Sequence, residues 1–464
     1  MDNLLEQPVR KLAEAVRTGQ LTSKQLTRTY LDRIEAVNPS LNAVIHLEAD
    51  QAMKHAERAD IALKGGETPG RLFGVPMTIK DSLDTADMVT TWGTTGRENF
   101  RPGDDATCVS RLRNEGAILM GKTNTPEFTL AFKTDNALFG PTRNPYDLIR
   151  TPGGSSGGAA AIIAAQASPF DVGTDTGGSI RLPSHFCGIA GIKPTTGRIP
   201  CTGNALPVTG LLAPLSQPGP MARHVDDLIY LLEIMKGPDF NDPFSRPMPW
   251  FNPYEVDVSR LRIGYHTDNG ISKPDDAIIG AIRSVVALLA DGGLKVSEAR
   301  PTGIEMTNFV FGALWTADNG EMVDELLEDC RTTVLSDRLA ASVASRPPEI
   351  SAREFAQAVS LWHNYQSSML SFFHDFDVLL SPVNARTAIP LDQTEHFPDY
   401  TYTAAYNMTG WPAAVIRMGT DPAGLPIGLQ IIAAPAREDL CLALALWLES
   451  RLGPFPGPTV PGPG

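Results

Sequence analysis

What most constrains this chain is the texture of residues 70–235. Short apolar runs at 75–79, 117–120 and 170–173 alternate there with unusually dense Gly, Pro, Ser and Thr. Runs this short, bounded by turn residues, read as strands buried on both faces and joined by loops, with helices between them. Similar runs return at 261–265, 378–380, 413–418 and 427–432. Elsewhere the apolar spacing is helical. Leu12, Ala15 and Val16 recur in this way within 4–65, and Thr22-Ser23 opens a second run through Leu26, Tyr30, Leu31 and Ile34. Residues 275–375 are expected to be mostly helical, beginning with Ile278, Ile282, Val285 and Leu289 between an Asp275 N-cap and a Gly292-Gly293 stop. A Pro- and Asp-rich connector occupies 236–258, and no internal repeat is visible. The expectation is one α/β domain over 1–464. It has N-terminal helices at 1–65, a core at 70–235 and a helical excursion at 275–375. The chain returns to the core sheet at 376–450 and ends in a flexible Pro/Gly-rich tail at 453–464.

Composition narrows the function. With 42% apolar and 20% charged residues the chain is an ordinary folded protein, and its net charge of −14 repels phosphate backbones. No Lys/Arg block offsets that charge, so nucleic acid is not the expected partner. The five cysteines are odd in number, scattered and free of CxxC spacing, which excludes a disulfide framework or zinc ribbon and fits a reducing compartment. The start, Met1-Asp2-Asn3-Leu4-Leu5-Glu6, lacks the basic stretch and apolar run of a signal peptide. No window approaches the roughly 20 apolar residues of a membrane span. A cytoplasmic protein with a small-molecule partner is expected.

Three segments carry chemistry. Gly74-Val75-Pro76-Met77-Thr78-Ile79-Lys80-Asp81 is an apolar strand ending in a lysine. Burial there would lower the ammonium pKa, which a lysine needs in order to act as a base. Thr151-Pro152-Gly153-Gly154-Ser155-Ser156-Gly157-Gly158 runs straight into Ala159–Ile163, presenting hydroxyls and free N–H groups at a helix start. The lysine-hydroxyl ending of a phosphate-binding P-loop is missing from it. In Gly173-Thr174-Asp175-Thr176-Gly177-Gly178-Ser179-Ile180-Arg181, two glycines before a serine let consecutive amides converge on one point, as an oxyanion hole requires.

Two rival readings fit parts of this. Gly153-Gly154-Ser155-Ser156-Gly157 matches the G-x-S-x-G nucleophile elbow, but Arg150 and Pro152 stand where a buried strand should precede it. None of the later histidines (His185, His224, His266, His363, His374, His396) has a recognisable catalytic context. Asp175-Thr176-Gly177 matches the D-T-G of aspartic proteases, but no second D-[ST]-G supplies the partner carboxylate.

Taken together, the three segments resemble the amidase signature family. Further matches occur at Phe139–Pro145, Gly191–Thr195, Gly219–Arg223, Leu379–Pro382 and Gly424–Gln430, in the family's order along most of the chain. The resemblance implies a three-layer α/β fold, a mixed central β-sheet covered by helices on both faces, with no metal or cofactor. It implies Ser179 as nucleophile, Ser155 as the bridging serine after a cis bond from Gly154, and Lys80 as base. The N–H groups of Thr176, Gly177, Gly178 and Ser179 would form the oxyanion hole, and Thr129 and Leu130 the acyl-pocket wall. Asp81, Asp175 and Arg181 are expected to brace loops rather than react. Trp92 stands where the family usually carries a small residue; it either shapes the substrate pocket or packs in the core. The implied activity is hydrolysis of small hydrophobic or aryl amides, extending to esters and carbamates, by a monomer or homodimer. The alternative is the amidase subunit of a glutamine-dependent tRNA amidotransferase, although the Lys-Tyr-Asp-Gly stretch typical of those subunits is missing.

Overall fold

The computed structural model describes residues 4–346 and 348–460. Of the expected N-terminal helices and tail, 1–3 and 461–464 therefore lie outside the described residues. Eleven strands are described: β1 (Val44–Leu47), β2 (Pro76–Lys80), β3 (Ile118–Thr123), β4 (Phe170–Asp175), β5 (Ala190–Lys193), β6 (Gln217–Ala222), β7 (Arg262–Tyr265), β8 (Lys295–Glu298), β9 (Val378–Pro382), β10 (Ala413–Thr420) and β11 (Pro426–Ala433). Eight of them form one mixed sheet in the order β4-β6-β5-β10-β11-β9-β7-β8, parallel only at β9-β7-β8. The other three form a separate sheet, β1-β3-β2, with β2 parallel to β3.

Both faces of the sheet's central strands are covered, which is why β9, β10 and β11 read as apolar runs. Ala414, Leu429 and Ile431 enter one buried cluster, with residues of helices Val225–Met235, Asp276–Asp291 and Glu438–Leu452. Their neighbours Ala413 and Ile432 point the other way, into a cluster with Thr401–Met408 and Thr307–Trp315, as the two-residue repeat of a strand demands. In helix Asp276–Asp291, Ile278, Ile282, Val285 and Leu289 are all buried. Each stabilises by about 1.5–3 kcal/mol if fully removed from water. Asp275 occupies the N-cap position without capping; its carboxylate instead accepts from Arg386 Nη1 at 2.8 Å.

The segment 275–375 is largely helical but also contributes edge strand β8, and its first helix packs on the sheet rather than apart from it. Among the described residues no helix is long and apolar enough to cross a membrane. All five cysteines are free and buried.

Candidate active site

Strand β2 is buried throughout and delivers Lys80 into the interior with no side-chain exposure. Lys80 Nζ lies 2.6 Å from Ser155 Oγ and 2.8 Å from Thr174 Oγ1, with Thr174 O at 3.5 Å. Among the described residues it forms no ion pair. Burial drives its pKa well below the ordinary lysine value, against the opposing pull of the Asp175 and Asp171 charges.

Ser155 follows a cis peptide bond from Gly154. The helix Gly157–Ala164 starts immediately after it and is buried along its whole length. Glycine is required where this helix starts because the backbone runs so close to its neighbours. A Cβ on Gly157 would sit 2.3 Å from Thr134 Oγ1, and one on Gly158 2.4 Å from the backbone N of Asn124. Ser156 binds the two serine loops together: its N–H donates to Ser179 O at 3.2 Å and its hydroxyl to Thr174 O at 3.3 Å.

Ser179 lies in the turn between β4 and helix Arg181–Cys187. That turn is organised around Asp175. Its carboxylate accepts from Gly178 N (2.8 Å), Ile180 N (3.1 Å), Asn407 Nδ2 (2.8 Å) and both Nε and Nη2 of Arg181 (3.0 and 2.9 Å). Burial alone would raise the Asp175 pKa, but the Arg181 guanidinium and Asn407 hold it well below the usual carboxylate range. Arg181 also donates to Gln430 Oε1 at 2.7 Å and Thr403 O at 2.9 Å. Asp175 and Arg181 are thus braces, as expected.

The geometry corrects one expected role. Gly178 N–H is spent on Asp175, so it does not point at a developing oxyanion, whereas the N–H groups of Thr176, Gly177 and Ser179 donate to nothing among the described residues. Gly178 is instead needed for its backbone: its φ is 135°, and a Cβ there would meet Thr403 Oγ1 at 2.2 Å. No hydrogen bond joins Ser155 Oγ to Ser179 Oγ; the link between them runs through Ser156 N.

Ser179, Thr176 and Gly177 open on a cavity of about 530 Å3. Thr129 and Leu130 line it, as expected. The opposite wall comes from 307–346, through Phe311, Trp315, Val323 and Leu339, with Phe397 from a later loop. The rings form a chain of contacts, stacked at Phe311–Trp315 and Phe132–Tyr400 and tilted in between. Phe311 lies 5.6 Å from Trp315 and 5.2 Å from Phe397, and Phe132, 6.2 Å beyond Phe397, stacks on Tyr400 at 4.2 Å. Arg338, paired with Glu395, is the one charged side chain of the lining.

Trp92 does not line this cavity, which corrects its assignment to substrate binding. Its indole N–H donates to Asp84 Oδ1 at 3.1 Å and its face lies 3.4 Å under the Arg97 guanidinium, so packing holds it elsewhere. Sequence reasoning also missed Thr174 as a partner of Lys80, Asp171 below it, and the aromatic wall. Thr174 stands inside a motif already singled out, but nothing along the chain ties Phe311, Trp315 or Phe397 to Ser179.

The rivals find no geometry. No histidine hydrogen-bonds Ser155 or Ser179 among the described residues; His185 is committed to Gly428 N (2.6 Å) and Arg386 O (3.0 Å). Asp175 is held ionised by Arg181 rather than sharing a proton with a second carboxylate. Among the described residues no group of three His, Cys, Asp or Glu converges to hold a metal.

The family model described as Amidase matches residues 25–442. The chain is 34% identical to a glutamyl-tRNA(Gln) amidotransferase subunit of Acidothermus cellulolyticus, over 97% of this chain and 95% of that one. It is 32% identical to an acylamidase of Rhodococcus erythropolis, over 95% and 94% of the two chains. Among solved structures, 6-aminohexanoate cyclic dimer hydrolase matches with a TM-score of 0.87 at 28% identity, over 99% of each chain.

Proposed function

Because this chain belongs to the amidase family, the amidase signature enzymes that hydrolyse amide C–N bonds, we propose that it is a free-standing amidohydrolase acting on small apolar or aryl amides through an acyl-enzyme on Ser179. The observation that carries this reading is a wholly buried Lys80 without a carboxylate partner, bonded to Ser155 directly behind a cavity walled by aromatic rings. Neutral Lys80 takes the proton of Ser155 Oγ, and Ser155 Oγ takes that of Ser179 Oγ as the latter attacks the carbonyl. The Ser155–Ser179 contact closes as substrate seats, since catalytic hydrogen bonds tighten in the substrate complex. The N–H groups of Thr176, Gly177 and Ser179 receive the oxyanion, each donor contributing on the order of 3 kcal/mol. The relay then runs in reverse to protonate the leaving amine, and water repeats the cycle on the ester of Ser179. Esters and carbamates share the acyl-transfer step and belong to the same range. The chain works in the cytoplasm as a monomer or homodimer.

Release of a chromogenic amine from an aryl amide, with an aryl carbamate alongside, tests this. Wild type should turn over, Ser179→Ala should be inactive, and Ser155→Ala and Lys80→Ala severely impaired. Full activity in Ser179→Ala with none in Ser155→Ala would instead favour the elbow reading.

A second reading, the amidase subunit of a glutamine-dependent amidotransferase, is favoured by the 34% identity to one component of such an enzyme. The cavity argues against it. Glutamine carries an ammonium and a carboxylate that both need partners, and the single charged lining residue, Arg338, is already paired with Glu395. Ammonia release from glutamine that depends on added partner proteins would decide for this second reading.

A further inference from the structure

The two sheets share no backbone ladder, yet the proposed base stands on one and the nucleophile turn leaves the other. Strand β2 lies against β4, and the Asp171 carboxylate bridges the seam. Asp171, the second residue of β4, is fully buried. Its Oδ1 accepts the backbone N–H of Lys80 at 2.9 Å, and its Oδ2 accepts the hydroxyls of Thr78 at 2.7 Å and Thr123 at 3.1 Å. The acceptor thus draws on both β2 and β3. Three residues later on the same strand, Thr174 holds the other end of the lysine, through Oγ1 at 2.8 Å from Nζ. Strand β4 therefore grips Lys80 at its backbone and at its head, and then turns into the loop that carries Ser179.

We propose that Asp171 is a positioning residue for amide hydrolysis, splicing the three-stranded sheet to the eight-stranded one so that Lys80 stands in register with Ser155. A lysine head on four flexible methylenes is located mainly by where its Cα is anchored, and a displacement of about 1 Å at a reacting group can cost about 100-fold in rate. The charged group beside Asp171 is Lys80 from β2, and Lys122, which leaves the other face of the small sheet, feels the Asp171 charge from farther away. Burial pushes the Asp171 carboxyl up to about 6, so at neutral pH it is still largely ionised. Its charge then adds to the potential that opposes deprotonation of Lys80. The residue therefore places the base and also tunes it.

The inference rests on Lys80 being the base. That premise fails separately, by an active Lys80→Ala, whatever the Asp171 variants do. The test compares Asp171→Ala, Asp171→Asn and Thr78→Val as full-length proteins, measuring kcat, KM and the pH profile on an aryl amide together with thermal unfolding. Asp171→Asn keeps an acceptor for Lys80 N–H and loses the charge. It should keep most of kcat while the acid limb of kcat/KM moves to lower pH by about one unit. Asp171→Ala should lower kcat about 100-fold with KM changed by no more than about twofold, since binding groups are untouched. If Asp171→Ala does not fold, Asp171→Asn and Thr78→Val decide, the latter through a lowered kcat at unchanged KM. A purely structural role would lower the unfolding temperature and leave the acid limb of the folded enzyme in place. An Asp171→Asn profile superimposed on wild type, with Thr78→Val at wild-type kcat, would overturn the proposal.

Discussion

Lys80 and Lys122 stand on adjacent parallel strands, one register step apart, and both are completely buried. Because Lys122 pairs with Ile79 and Lys80 with Thr123, the two side chains leave opposite faces of the small sheet. Lys122 enters a charged nest. It donates to Leu83 O at 2.5 Å and Thr90 Oγ1 at 3.0 Å, has Asp81 Oδ1 at 3.7 Å, and neighbours the Asp84–Arg97 pair over which Trp92 packs. Lys80 meets only hydroxyls and one carbonyl. Burial lowers both pKa values, but Lys122 has Asp81 at ion-pair distance to restore its charge, whereas Asp175 and Asp171 act on the Lys80 head from beyond that distance and leave it pushed well below the lysine range. The same residue type, equally buried, thus serves as a structural cation on one face and as a candidate base on the other. A carboxylate at ion-pair distance, present beside the Lys122 head and not beside that of Lys80, separates the two roles, and burial does not.

Breaking the comparison begins with the larger effect. Lys80→Ala should lower kcat by about 1,000-fold or more, in the range expected for loss of a general base, without lowering the unfolding midpoint. Lys122→Ala should do the reverse. It strands Asp81 as an uncompensated buried acid and should cost about 3–5 kcal/mol in denaturant unfolding, with activity per folded molecule near wild type. If the phenotypes exchanged places, the division of roles would be wrong.

The pH dependence sharpens the contrast. In the proposed relay the base is neutral Lys80, so kcat/KM should rise with pH to a plateau in the neutral-to-alkaline range; a decline there in folded protein would contradict the assignment. The stability sign follows from the same shift. The folded-state pKa of Lys80 lies below its unfolded value, so between the two the unfolded chain binds more protons and stability rises with pH. Lys80→Met should flatten that rise and leave the protein at least as stable at neutral pH, as read by unfolding across pH. The smallest effect concerns the Lys122 side. Trp92→Phe removes the bond to Asp84 and should cost about 1 kcal/mol while leaving KM for aryl amides unchanged. A raised KM would return Trp92 to the substrate pocket.

Much of this was legible in the chain because its signals are local. A lysine closing an apolar strand, a Gly/Ser loop running into an apolar helix and a Gly-Gly-Ser turn each announce their conformation within about ten residues. The four unread strands were hidden by their composition. Strands β5 and β6 contain Gly191, Pro218, Gly219 and Pro220, residues that ordinarily mark loops. Strand β6 tolerates its prolines because its pairing with β5 covers only Met221 and Ala222, so Pro218 and Pro220 lie where that ladder has stopped. Strands β1 and β8 are only four residues long and mostly unburied, too short for a periodic signal.

By itself, then, the sequence determined the family and the strand-rich core and singled out Lys80, Ser155 and Ser179 as candidates, because these depend on contiguous residues whose backbone demands are written beside them. Only the tertiary structure decided which amides of the turn are free, that Trp92 packs beneath Arg97, and that Phe311, Trp315 and Phe397 close the cavity over Ser179. It alone set the Asp171 carboxylate under the Lys80 backbone and left the lysine head without an ion pair among the described residues. Several of these contacts join residues far apart in the chain, such as Lys80 with Asp171, 91 positions apart, and Asn407 with Asp175, 232 apart. They arise from sheet register and helix packing, which no short stretch of sequence encodes.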